Sequence, residues 1–220
     1  MRVRHSADDV TREAAPDPEL IRRLDAARLY VITPDASAGR VIDLAAAAAR
    51  GGADAIQLRH KTSARGELLA LARRLRRVIT GPLFIVNDHV DIALLSGADG
   101  VHLGPDDLSV ESARRVAGDR LLIGVSASSA AAVQAGADYV GCGAVFATPV
   151  KQGKQVIGPG GVAALTRALS IPVFAIGGID ESNVQQLVDL GVRRACVIRA
   201  VADAADPETA TRRLRAMLTA

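Results

Sequence analysis

The segment Asp54-Ala55-Ile56-Gln57-Leu58-Arg59-His60-Lys61 decides how the chain is read. It begins as a buried strand and ends in cations. Ile56 and Leu58 share one face of an extended segment, and Gln57, Arg59 and Lys61 alternate with them and point the other way. Taken alone, a basic pair at a strand end is an ordinary solvated rim. Three polar side chains aligned at the mouth of a core strand also suit an anionic ligand. The neighbouring strands decide between the two.

Outward from this segment, the strand-like runs fall at 29–33, 54–58, 83–86, 100–103, 121–125, 139–145, 172–176 and 194–198. They are short, β-branched and apolar on both faces, as parallel strands covered by helices are. Helical segments are predicted over 40–50, 65–79, 90–95, 110–116, 130–134, 161–169, 181–190 and 207–218, with one more at 18–26 ahead of the first strand. Asp17, Ser109 and Asp180 stand where helix caps belong. Gly52-Ala53-Asp54, Gly97-Ala98-Asp99 and Gly136-Ala137-Asp138 repeat one unit between helix and strand, the glycine ending the helix and the aspartate reading as a turn or cap residue. Eight strand–helix units predict an α/β fold, a compact (β/α)8 TIM barrel, as a single domain over 17–220 behind a flexible N-terminal extension, 1–16. A doubly wound sheet is the rival, but no dinucleotide fingerprint or P-loop follows the first strand.

Composition narrows the function classes. Hydrophobic residues make up 49% of the 220, enough for a real core, while aromatics are 2% with no Trp, poor material for stacking on nucleobases. The net charge of +3 sits largely in helical pairs such as Arg73-Arg74, Arg76-Arg77 and Arg212-Arg213, which read as solvated faces. No nucleic-acid partner is expected. Cys142 and Cys196 each lie in an apolar run and read as buried free thiols. No secretory signal is visible, and no apolar run reaches the ~18 residues of a membrane span, so a cytoplasmic protein with no membrane partner is expected.

The polar residues gather at one end of the predicted barrel, the C-terminal strand ends where active sites of this fold form. Those ends deliver Gln57, Arg59 and Lys61; Asn87 and Asp88; His102, with Asp107 beyond it; Ser126; Thr148 and Lys151; Gly177-Gly178; and Arg199. Each has an ordinary reading alone: Asn87-Asp88 as an Asx turn, His102 as a hydrogen-bonded core histidine, Thr148-Pro149 as a turn. Their convergence points to chemistry. Arg59, Lys61, Lys151 and Arg199 suit an anion with several charges. Asp88 and Asp107 can hold a hard divalent cation, with water and phosphate oxygens completing its shell. Gly177-Gly178 offers backbone N–H groups where phosphates commonly sit in this fold. The expectation is a Mg2+-dependent enzyme with a diphosphate at one side of the mouth and a monophosphate at the other. No nucleophile with a base partner and no zinc spacing is present.

The motifs Gln57–Lys61, Val86-Asn87-Asp88-His89, the run 98–104 with Asp107, Gly124-Val125-Ser126, 138–141, Phe146-Ala147-Thr148-Pro149-Val150-Lys151 and Ile176-Gly177-Gly178-Ile179 together resemble the thiamine-phosphate synthase (thiamine-phosphate pyrophosphorylase) family, in that family's order, across 29 to about 200. The resemblance implies a transferase of thiamine biosynthesis. It joins 4-amino-2-methyl-5-pyrimidinylmethyl diphosphate to 4-methyl-5-(2-phosphooxyethyl)thiazole and releases diphosphate through a dissociative pyrimidinylmethyl cation. It further implies Mg2+ on Asp88 and Asp107. Arg59, Lys61, Asn87, Ser126 and Lys151 would act on the diphosphate, with Gln57 facing the pyrimidine. Thr148, Gly177, Gly178, Ile198 and Arg199 would lie toward the thiazole phosphate. Family members are often homo-oligomers, which leaves self-association open. Three positions depart from the family's usual residues: Val150 for Thr, Arg199 for Ser and Pro105 for Gln. The alternatives are a thiazole phosphate tautomerase-like protein, which would not need the full diphosphate and metal set, and a non-catalytic phosphate- or anion-binding barrel.

Overall fold

Eight parallel strands close on themselves in the computed structural model, which describes residues 16–147 and 156–220. The chain runs α1 (Pro18–Ala26), β1 (Leu29–Ile32), α2 (Ala38–Arg50), β2 (Ala55–Leu58), α3 (Arg65–Val78), β3 (Leu83–Asn87), α4 (Val90–Ser96), β4 (Gly100–Leu103), α5 (Val110–Ala117), β5 (Leu122–Ser126), β6 (Tyr139–Cys142), α6 (Gly158–Ala168), β7 (Val173–Ile176), α7 (Gln185–Val188), β8 (Ala195–Val197), α8 (Arg199–Ala202) and α9 (Pro207–Thr219). β1 pairs with both β2 and β8, which closes the ring. The predicted extension, except residue 16, and the loop residues Thr148, Val150 and Lys151 lie outside the described residues. No described helix is long and apolar enough to cross a membrane.

Strand alternation sorts the core into two layers. Ile56, Leu58, Phe84, Val86 and Val101 face outward and pack with the helices. Tyr30, Ala55, Ile85, Leu122, Tyr139 and Phe174 face inward, and α1 adds Leu24 and Ala27 to that interior cluster. Three of the chain's five Tyr and Phe side chains meet in the barrel: Phe174 stands edge-on to Tyr30 and Tyr139, with ring centroids 5.5 and 5.8 Å apart. Gly124 makes room for them, since a Cβ there would lie 2.0 Å from the Tyr139 ring.

Caps form where the short polar residues allow them. Asp17 accepts from Glu19 N, Ser109 from Ser112 N, and Asp206 from Glu208 N and Thr209 N. Gly97 ends α4 at φ +67°.

Several boundaries differ from the sequence expectation. The helix expected over 130–134 is a single 3-10 turn, Ala130–Ala132. The strand expected over 139–145 stops at Cys142. Beyond it the chain still runs beside β7, with Val145 N donating to Ile176 O and Phe146 N to Gly177 O, but outside the strand ladder. The helix expected over 181–190 shrinks to α7, because Asp180 Oδ1 accepts from Ser182 N and Oγ while Asn183 Oδ1 accepts from Asp180 N. Such local side-chain bonds compete with helical ones, so Asp180 builds a turn and does not cap the helix. The helix expected from 161 starts at Gly158, with Pro159 in its first turn. Arg76 is not simply a solvated residue: it pairs with Asp99 at 3.0 Å and stacks 5.6 Å from the Phe84 ring centroid.

The three recurring aspartates are ties between strands. Asp54 Oδ2 accepts from Arg28 N and Leu29 N, and its Oδ1 takes two bonds from Arg215. Asp99 accepts from Phe84 N and Arg76, and Asp138 from Ile123 N and Arg114. Each aspartate N–H in turn donates to the carbonyl of Leu29, Phe84 or Ile123. Burial pushes the Asp138 carboxyl above its usual range, against the pull of the Ile123 N–H and Arg114. The gain is thus in satisfying a buried N–H more than in the charge. Asp54→Ala and Asp138→Ala should each lower stability to urea by about 1–3 kcal/mol. Asp138→Asn, which keeps the acceptor, should lose less. Glu111→Ala, at the exposed Glu111–Arg115 pair, should stay within about 0.5 kcal/mol.

Candidate active site

At the C-terminal ends of the strands lies a cavity of about 860 Å³. Eight of the residues singled out in the sequence line it: Gln57, Arg59, Asn87, Ser126, Gly177, Gly178, Ile198 and Arg199. Lys61, Asp88 and Asp107 are not in its wall; Lys61 and Asp88 pair with each other after β2 and β3. Thr148 and Lys151 lie outside the described residues. Two placements differ from the strand-end picture. β2 ends at Leu58, so only Gln57 of the polar trio is a strand residue. Arg199 is the first residue of α8.

The stretch Arg59-His60-Lys61 is instead laid on the loop between β1 and α2. Thr33, fully buried, accepts Arg59 N at 3.1 Å. Asp35 accepts Arg59 Nη1 at 3.1 Å and Lys61 N at 2.6 Å. His60 Nε2 lies 3.0 Å from Ala36 O. Sequence reading missed Thr33 and Asp35, because their role depends on pairing of β1 with β2 and not on any local motif.

Asp88 and Asp107 come from adjacent strand ends. Asp88 has φ +64°, the one described non-glycine residue in the left-handed region. Aspartate tolerates that conformation better than most residues, and such outliers gather at functional sites. Its N–H donates to His102 O at 2.8 Å, and its Oδ2 accepts Lys61 Nζ at 2.9 Å. Asp107 Oδ2 accepts Gly104 N at 2.7 Å. Partial burial opposes ionisation of Asp88, but Lys61 and the neighbouring Asp107 carboxyl outweigh it and hold Asp88 below its usual range. For Asp107, partial burial and then the Asp88 carboxylate both push upward, and the Gly104 N–H only partly offsets them. Two carboxyl groups that raise one of the pair in this way are a donor set for a hard cation, which would remove their repulsion.

Inside the barrel the polar side chains touch in series. Gln57 Nε2 donates to Tyr30 Oη at 2.8 Å, Tyr30 Oη lies 3.0 Å from Tyr139 Oη, and Tyr139 Oη lies 3.3 Å from His102 Nδ1. His102 Nε2 lies 3.0 Å from Ser126 Oγ. His102 is a hydrogen-bonded interior histidine, as its apolar strand suggests. Neither tyrosine stood out in the sequence, because an interior tyrosine reads as core. Cys196 also borders the cavity, but burial pushes its thiol far up, so it is no thiolate nucleophile. Cys142 is pushed up to about 11 by the same cause.

Across the cavity, Gly177 and Gly178 have φ +105° and +69°. A Cβ on Gly177 would sit 2.8 Å from Ala144 Cα, and one on Gly178 would sit 2.8 Å from Phe146 Cβ. Only glycine fits both the angle and the space. Their carbonyls are taken, by Phe146 N at 2.9 Å and by Asn183 Nδ2 at 2.8 Å.

Comparison with known proteins agrees with this arrangement. The pattern of the family described as "Thiamine monophosphate synthase" matches residues 29–201. A thiamine-phosphate synthase of Methanoregula boonei is 44% identical over 206 residues, covering 90% of this chain and 94% of its own length. One from Thermosynechococcus vestitus is 42% identical over 200 residues, covering 88% of this chain, and the match spans 56% of that longer protein. Among solved structures, thiamine phosphate pyrophosphorylase from Pyrococcus furiosus superposes with a TM-score of 0.78 at 37% identity, covering 91% of this chain and 98% of that one. With the barrel, the strand-end donors and a sequence match across nearly all eight strands in agreement, the chain belongs to the thiamine monophosphate synthase family.

Proposed function

We propose that this protein is a transferase that joins 4-amino-2-methyl-5-pyrimidinylmethyl diphosphate to 4-methyl-5-(2-phosphooxyethyl)thiazole, giving thiamine phosphate and diphosphate. The observation that carries the reading is one cavity with two anion-suited sides. Arg59, Asn87 and Ser126 lie on one side, and the Gly177-Gly178 turn with Arg199 on the other. The first set suits the departing diphosphate, with Lys61 and Lys151 completing it. The second suits the thiazole's phosphate, with Thr148 and Ile198.

The bond from the methylene carbon to the diphosphate oxygen breaks first, and both electrons leave with diphosphate. Donors preorganised toward those oxygens lower the barrier because charge develops there. The ring amino group stabilises the pyrimidinylmethyl cation that remains. The thiazole nitrogen, held nearby through its phosphate, then supplies the electron pair of the new C–N bond. Gln57, buried at the cavity wall, suits orientation of the pyrimidine. Asp88 and Asp107 fit a Mg2+ ion. When bound, the ion would neutralise charge on the leaving diphosphate.

The decisive assay combines purified protein, the pyrimidine diphosphate and Mg2+, with and without the thiazole phosphate. Thiamine phosphate and diphosphate should form in equal amounts, and only in the complete mixture. Binding of the thiazole phosphate without diphosphate release would instead favour the tautomerase-like reading.

Two variants test the parts. Asp107→Asn removes the carboxyl whose ionisation the fold disfavours while keeping an acceptor for Gly104 N. It should raise the metal-free thermal midpoint by a few degrees, and it should abolish the further rise that Mg2+ gives the unmodified protein. Arg199→Ala should raise KM for the thiazole phosphate at least about tenfold and leave KM for the pyrimidine diphosphate within about twofold, as loss of one charged contact at a single subsite does. Equal effects on both substrates would refute that placement of Arg199.

A further inference from the structure

The polar chain through the barrel crosses five strands: Gln57 on β2, Tyr30 on β1, Tyr139 on β6, His102 on β4 and Ser126 on β5. Its direction follows from counting protons. A Gln amide nitrogen only donates, so Tyr30 Oη is an acceptor at that contact. Tyr30 is 1% exposed, so its own proton needs an acceptor, and Tyr139 Oη at 3.0 Å is the one in reach. Tyr139, equally buried, passes its proton toward His102 Nδ1. His102 Nδ1 is then an acceptor and Nε2 carries hydrogen, which Ser126 Oγ accepts. Run the other way, Tyr30 Oη would accept from both Gln57 and Tyr139, and its own proton would be stranded in the apolar interior. Burial also keeps both phenols protonated, since desolvation pushes each well above the ordinary tyrosine range.

We propose that this chain is a one-way hydrogen-bond relay that turns the Ser126 hydroxyl proton into the cavity, with Tyr30, Tyr139 and His102 as positioning residues for Ser126. A serine that already accepts from an imidazole has its own O–H left to give. Ser126 is exposed at the cavity wall, so the group it presents is a donor, suited to a phosphate oxygen. The relay thus ties the residue assigned to the pyrimidine, Gln57, to a residue assigned to its leaving group. Occupation of either end bears on the other through bonds alone. The inference rests on the reading that Ser126 meets the diphosphate. Its rigid frame is visible in the packing: Gly124 admits the Tyr139 ring, and a Cβ on Gly141 would lie 3.2 Å from His102 Cε1.

Two measurements test it. Nitrogen NMR of protein with labelled histidine, with the His102 signal assigned by its loss in His102→Asn, should show the Nε2–H tautomer in the free protein at neutral pH. In Tyr139→Phe, which keeps the ring and removes the hydroxyl, the preference should be lost. In turnover, Tyr139→Phe should lower kcat about tenfold, in the range of a hydrogen-bonding contribution to the transition state, with KM for the thiazole phosphate unchanged. In a Ser126→Ala background the same change should cost less than about twofold, because a residue acting through Ser126 has nothing left to position. An Nδ1–H tautomer in the free protein, or equal losses in both backgrounds, would overturn the relay. If the protein released no diphosphate at all, the functional reading would fail while the tautomer would still decide the relay.

Discussion

Closure of the sheet through β1 and β8 is the constraint on which the rest of the molecule depends. A closed parallel ring leaves no edge strand with unpaired backbone groups. It also sends every strand's C-terminus to the same end, so residues far apart in sequence become neighbours without contact between their local segments. Gln57 meets Tyr30, and His102 meets Tyr139, only because the ring places β2 beside β1 and turns β4 and β6 inward together. The same closure builds the Thr33–Asp35 platform under Arg59 and Lys61.

The cations meant for a ligand already have partners. Arg59 pairs with Asp35 and Lys61 with Asp88. With Lys61 half exposed, such a pair contributes at most about 1 kcal/mol, because water screens it. That is enough to hold a side chain in place and little enough to yield to a multiply charged anion, whose attraction draws on several cations at once. The carboxylates therefore keep the site ordered in the free protein without closing it to substrate. Asp88 has a second demand on it, since it also abuts Asp107. A cation at that pair and a phosphate on Lys61 satisfy, between them, both groups that the Lys61–Asp88 contact now serves.

Much of the barrel was legible in the sequence because buried parallel strands and amphipathic helices carry distinct periods, and glycine–aspartate turns mark where one passes to the other. The errors cluster where local chemistry overrides period. The Asp180-Ser182-Asn183 turn shortens a helix, and the run after Cys142 stays apolar while leaving the ladder. In the site, charged and glycine motifs were readable because few structural roles need them in that order. Tyr30, Tyr139, Thr33 and Asp35 were not, because a buried tyrosine, a strand-end threonine and a loop aspartate are each common for ordinary reasons. Their role lies in a partner on another strand, and sequence spacing holds no record of which strands become neighbours across a closed ring.

The aspartates show how position in the barrel decides chemistry for one residue type. Asp54, Asp99 and Asp138, at the N-terminal ends, each receive backbone N–H groups and a guanidinium. Their acceptor capacity is spent on holding strands together. Asp88 and Asp107, at the opposite ends, receive one amine and one amide between them and face each other. The first group is matched within the protein, so it suits permanent structure. The second has capacity and charge left over, and the left-handed backbone at Asp88 holds it there without a matching internal partner. An unmatched pair of carboxylates is a net loss to the free fold, and it is offset only when a cation arrives. The two ends of the barrel thus divide stability from function with the same side chain, and the surplus of unsatisfied acceptors marks which end is which.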